Sequence, residues 1–174
     1  MLLRRNFALT VGALALLAPA LTACGFDRPT DAQYTPSAGT INRSGDVHVL
    51  NAAIVAGQSD SGTLVAGVSN SVKDAAVSLT GIEGDGLTVD LAGPIEVSPQ
   101  GFVNLADEEL AVTGEFDAGN VLDMTLTFDN GDVLDLEVPV VTNCDEFEGF
   151  DVTAEGESTD ERYSCEYPET EGHH

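Results

Sequence analysis

Tryptophan is absent from the 174 residues, and Lys and Arg together number 6 against 30 Asp and Glu. The formal net charge of −24 leaves no electrostatic footprint for a phosphate backbone, which excludes nucleic-acid binding. Anionic lipid head groups would also repel the chain, so no charge-driven membrane attachment is expected. Cys and His occur three times each and Met twice, which leaves few soft-metal or nucleophile constellations to consider. A sustained 3.6-residue apolar period is missing throughout, as is a Gly-rich loop that follows a strand and opens a helix. One apolar run stands out, residues 7–20, and it is too short to cross a ~30 Å hydrocarbon core comfortably. A length of 174 residues supports one modest domain with flanking segments.

The apolar run sits where a signal h-region belongs. Arg4-Arg5 precedes it as a positive n-region, and Leu21-Thr22-Ala23-Cys24-Gly25 follows it. That last stretch resembles the lipobox of bacterial lipoproteins. The resemblance implies removal of residues 1–23 and acylation of Cys24 with diacylglycerol. Two acyl tails supply the hydrophobicity that stable anchoring needs, here on the outer face of the cytoplasmic membrane. The alternative is an ordinary secretory signal whose Cys24 later joins a disulfide. Arg4-Arg5-Asn6-Phe7 also resembles the twin-arginine export core, which leaves the export route open. Loss of the leader removes Arg4 and Arg5 and no acidic residue, taking the net charge from −24 to −26. Residues 24–45 are polar, contain Pro29 and Pro36, and read as the acylated Cys and a tether spanning roughly 25 Å.

Residues 46–142 carry the folding signal, and it is β. Short apolar segments at 47–55, 63–70, 76–82, 87–91, 95–97, 102–105 and 110–113 are bounded by Gly, Pro, Ser or Asp, the spacing of a sandwich or barrel. The best-specified piece is the last hairpin. Leu122, Met124, Leu126 and Phe128 alternate with polar residues, and Leu134, Leu136, Val138 and Val140 do so after the turn. Opposed residues share a face, so these two apolar sets must pair with each other. A two-residue Asn130-Gly131 loop would set Leu126 against Asp135. A three-residue loop, Asp129-Asn130-Gly131, sets Leu126 against Leu134, with Gly131 in the left-handed position that ends this turn type. Pro139 then faces outward, at an edge or bulged position.

Residues 143–174 hold 11 acidic residues and a single Arg. In an exported chain whose Cys24 is acylated, Cys144 and Cys165 most simply form a disulfide around this acidic segment. The alternative is two free thiols in a disordered tail.

Over residues 46–141 the chain resembles the PCu(A)C-type periplasmic copper chaperone family, and within it the actinobacterial LpqE-like lipoprotein branch. The likeness lies in Gly67-Val68-Ser69, Ala76-Val77-Ser78-Leu79, Pro99-Gln100-Gly101-Phe102, Met124-Thr125-Leu126-Thr127-Phe128 and Glu137-Val138-Pro139-Val140. The resemblance implies an all-β, cupredoxin-like Greek-key β-sandwich. It also implies a copper site of two His and two Met, yet those positions fall on Val103, Leu105 and a residue near Thr80, with no counterpart for the fourth. Thioether and imidazole ligands select Cu(I), and none remain, so no metal and no cofactor are expected.

Other reactive groups have simpler readings. His48 lies between Val47 and Val49 on the opposite strand face, without a second ligand nearby in sequence. His173-His174 ends the chain and can take up metal adventitiously. Asp129-Asn130-Gly131-Asp132 lacks the spaced ligands and bidentate Glu of a calcium loop. Asp107-Glu108-Glu109 reads as a solvated loop. Ser59-Asp60-Ser61-Gly62 lacks the strand-to-helix elbow and the partner His of a nucleophile. The expectation is a monomeric, non-enzymatic binding or accessory module, anchored to the membrane by lipid and presented to an envelope protein. The alternative is metal handling, either copper delivery or weak divalent binding by carboxylates.

Overall fold

The computed structural model describes residues 38–154, 156 and 158–166. Ten strands follow one another: β1 (Thr40–Asn42), β2 (Val47–Gln58), β3 (Ser61–Asn70), β4 (Val77–Gly84), β5 (Thr88–Val89), β6 (Ile95–Val97), β7 (Phe102–Asn104), β8 (Ala111–Thr113), β9 (Val121–Phe128) and β10 (Val133–Thr142). Short 3₁₀ turns occupy Leu105–Glu108, Asp145–Phe147 and Glu161–Tyr163. One sheet runs β5-β8-β3-β2, with β1 also pairing to β2 and β7 to β3; the other runs β10-β9-β4-β6. Every pairing is antiparallel except one: β10 leaves β9 and joins β2 in parallel at Val140, Val141 and Thr142. The fold is all-β, a sandwich of two sheets joined through β10, as the strand spacing and the resemblance implied.

The alternating strands bury their inner faces against each other. Ile54, Leu64, Leu79, Leu105, Met124 and Leu126 are among the largest fully buried side chains. Each contributes about 1.5–3 kcal/mol by leaving water. In β2 the inward set switches from Val47 and Val49 to Ala52, Ile54 and Ala56. A bulge at Asn51 makes the switch: its φ of 54° inserts an extra residue between Leu50 and Ala53 in the register with β3. Asn tolerates that left-handed backbone better than most side chains. Beyond the bulge Ala53 and Val55 are buried as well, because Phe147 and Val141 cover them and Val65 on the outer side.

The last hairpin has the expected register, Leu126 opposite Leu134 and Met124 opposite Leu136. Asp129, Asn130 and Gly131 form the loop, Gly131 N–H donates to Phe128 O, and Gly131 has φ +91°. A Cβ at Gly131 would touch nothing within 4 Å, so Gly131→Ala isolates the backbone term. The substitution is expected to cost about 1 kcal/mol, read as a lower urea midpoint with an unchanged slope. Val140 N–H donates to Asn120 O across the β9 side, so Pro139 turns its missing donor the other way, where pairing to β2 starts only at Val140.

Two expected boundaries shift. The segment 24–45, read as a tether, contributes β1: Thr40 and Asn42 pair with β2, and their side chains donate to the carbonyls of Glu137 and Asp135. The acidic segment 143–174 is not a separate appendage where it is described. Phe147, Asp151 and Tyr163 pack into the sandwich, and the described residues belong to one compact unit. Non-local hydrogen bonds hold both segments in place, and composition does not report those.

Candidate binding surfaces

Alternation gives the second sheet an acidic outer face. Asp123 pairs with Glu137, Thr125 pairs with Asp135, and Glu83 lies across from Thr125 on β4. These residues and Asp85 line a groove of about 700 Å³, closed on one side by β1. Opposed like charges such as Asp123 and Glu137 destabilise a strand pair by roughly 0.2–1 kcal/mol. The Thr125 hydroxyl relieves part of this by donating to Asp135 at 2.8 Å. Strand geometry spaces same-face neighbours about 7 Å apart along each strand. Among the described residues no group of three or more His, Cys, Asp or Glu is placed to hold a metal ion. The face is a diffuse negative surface and does not form a ligand cage.

The outer face of the first sheet differs. Leu50 sits opposite Gly67, and Gly67 opposite Asn104 of β7. The Phe102 ring lies on Gly67 so closely that a Cβ there would come within 2.6 Å of it. A larger residue at position 67 would have to push the ring tip aside, and Phe102 is 60% exposed. Leu50, Val65 and Gly67 floor a groove of about 430 Å³ walled by Phe102, Phe147 and Phe150. Glu146 is its one charged lining residue. Asp107-Glu108-Glu109 follows the lining residue Ala106, and Asp145, Glu146 and Glu148 surround Phe147.

The end of the described chain is pinned beside a third, polar concavity. Tyr163 is buried in the core cluster, and its hydroxyl donates to Asp117 and accepts from Ala118 N–H. Arg162 bridges Asp117 and Asp160, each at 2.7 Å. Hydrogen bonds from Ser59, Arg162 and Tyr163 hold the Asp117 carboxyl below its ordinary value of 3.8, and the Arg162 fork does the same for Asp160. Arg162 is pushed up and stays charged throughout. Because both carboxyl values lie below the unfolded one, this docking is fully present above the ordinary value and is lost as pH falls through the folded values. Acidification below about pH 4 is expected to release Tyr163, seen as a shift of its ring resonances toward free tyrosine. Ring resonances that stay fixed through that acidification would contradict it.

The expected site residues fall as follows. Cys24 and His173-His174 lie outside the described residues. Cys144 and Cys165 are bonded, S–S 2.02 Å, as expected. His48 is half-buried on β2 across from Ser69. Val103 pairs with Val68 in the first sheet, Leu105 is fully buried, and Thr80 on β4 donates to Thr127 O in the second. The positions at which the resemblance would put copper ligands therefore carry core or sheet contacts. Asn130 binds Asp132 within its turn. The Ser59 hydroxyl donates to Asp117 at 2.7 Å, but a carboxylate with a lowered pKa is a poor base for that proton. Sequence reasoning missed Asn70 and Asp151. Buried Asn70 donates to Ala75 and Val97 carbonyls and so ties β3 to β6 of the other sheet. Sequence reasoning also missed the aromatic groove, whose one visible signal was Phe147 and Phe150 inside an acidic run.

No protein-family model matches the sequence, and no curated protein matches it. Solved structures do. A copper-bound PCuAC domain from PmoF2 is 17% identical, covering 59% of this chain and 97% of that one, with a TM-score of 0.48. The apo PmoF2 PCuAC domain has the same identity and TM-score and is covered over 94% of its length. The apo PCuAC domain from PmoF1 is 15% identical, covering 58% of this chain and 98% of that one, with a TM-score of 0.48. At such identity the likeness concerns overall fold.

Proposed function

We propose that the chain is an exported lipoprotein, acylated at Cys24 and displayed on the outer face of the cytoplasmic membrane, whose monomeric sandwich is a non-enzymatic binding module. The observation that supports it best is the aromatic groove, left open on a sheet face that the tail covers elsewhere. Concavities lined by apolar and aromatic side chains with a few polar groups are where ligands and partners bind by default. Anchoring is tested by labelling with a palmitate analogue, which Cys24→Ala should abolish. Binding is tested by photocrosslinking in intact cells from probes spread over the domain. Discrete adducts with an envelope protein support the module, and their absence from every probe position contradicts it.

The second reading is metal handling, to which the copper-bound state of a similar PCuAC domain and the acidic face both direct attention. Here copper would have to find ligands other than Val103, Leu105 and Thr80. A divalent cation on the acidic face would be held loosely, by charge density alone.

A further inference from the structure

We infer that the groove on the outer face of the first sheet docks a basic segment of another polypeptide, which seats a bulky apolar side chain on Leu50 and Gly67 and sets Lys or Arg beside Glu146. The inference rests on the binding-module reading and names the partner's chemistry. Its first basis is shape. The edge of the Phe102 ring abuts Gly67 and Phe102 is 60% exposed, while Phe150, 40% exposed, lines the same groove. The space, about 430 Å³, is at the small end of ligand sites and suits one or two large side chains.

The second basis is charge. Glu146 lines the groove, none of its lining residues is basic, and the chain as a whole carries a formal net charge of −24. The described chain holds Arg43, Lys73 and Arg162 as its Lys and Arg, and none of them lines the groove. A second copy of this chain would bring the same negative excess and be repelled. Anionic head groups would be repelled for the same reason. An aromatic anchor flanked by cations suits both the apolar floor and Glu146, with the charges setting approach rate and salt dependence more than affinity.

The missing tryptophan makes the test clean. A short peptide with a single Trp between pairs of Lys has no protein background in its fluorescence. It is titrated into the chain from residue 25 onward, which contains the whole compact unit. The expected result is a saturable blue shift with micromolar affinity that weakens as salt rises. Phe102→Ser is expected to weaken binding about tenfold, and Glu146→Lys several-fold with a flatter salt dependence. Phe102→Leu, which keeps the bulk, should retain most of the binding; if Phe102→Ser lowers the melting temperature, Phe150→Ser replaces it. Unchanged affinity in a folded Phe102→Ser or Phe150→Ser variant overturns the groove. Equal binding by a peptide with Gln in place of Lys overturns the basic partner. Peptide displaced by phosphatidylcholine vesicles in a Phe102-dependent way overturns the polypeptide in favour of a lipid surface. Cellular crosslinks arising only from other faces would sink this inference and leave the binding module standing.

Discussion

Replacing Asp151 with Ala is expected to destabilise the domain by about 3–5 kcal/mol and to free the segment that follows β10. Asp151 is only 8% exposed, and its carboxylate accepts from Gly57 N–H at 2.6 Å, from the Thr63 hydroxyl at 3.2 Å, and from the Thr153 N–H and hydroxyl. Thr63 in turn accepts from Val152 N–H at 2.8 Å. Removing the carboxylate strands Gly57 N–H and the Thr63 hydroxyl under the tail, each at a cost of about 1–3 kcal/mol. Asp151→Asn should recover part of the loss, since one oxygen still accepts while the amide meets a donor. Hydrogen exchange over residues 143–166 separates the outcomes. Fast exchange there and a lowered urea midpoint are expected. Protection equal to the parent chain would show that Asp151 is not the latch.

Reducing the Cys144–Cys165 bond is the other large perturbation. It closes a loop of 21 residues in sequence separation, and its loss should cost about 3 kcal/mol through the unfolded chain. For a domain of this size that is a fall in melting temperature of roughly 10 °C. Cys144 is buried at the end of β10, and Cys165 stands two positions beyond the buried Tyr163. The bond therefore brackets both tail anchors, Asp151 and Tyr163. Reduction combined with Asp151→Ala should cost less than the two separate losses together, because either change alone already lets the tail leave. A Cys144→Ser, Cys165→Ser variant melting with the parent chain would refute this.

The last hairpin was legible because only one register satisfies both the alternation and the turn, and a single residue of slip would expose every apolar side chain. The strands at 95–97 and 102–104 were legible from their flanking turns. The strand at Thr40–Asn42 was not, because Thr-Ile-Asn has no periodicity and is held by Thr40 and Asn42 reaching across to β10. The bulge at Asn51 was hidden because no Gly marked it. The packed tail was hidden for a further reason: Asp151 meets Gly57 and Thr63 across 94 and 88 positions, and composition reports only that the segment is acidic. Val103, Leu105 and Thr80 were legible as non-ligands from their chemistry alone. The aromatic groove exists only once Phe102 of β7 and Phe147 and Phe150 of the segment after β10 are brought to the same sheet face.

A binding module and a metal carrier part company in one titration. The chain from residue 25 onward, with His173 and His174 changed to Ala to remove adventitious uptake, is titrated calorimetrically with Cu(I), Cu(II) and Ca²⁺. The expected result is no submicromolar copper site, and Ca²⁺ bound only weakly and suppressed by salt. Stoichiometric submicromolar copper binding would contradict the binding-module account and make this sandwich a metal carrier.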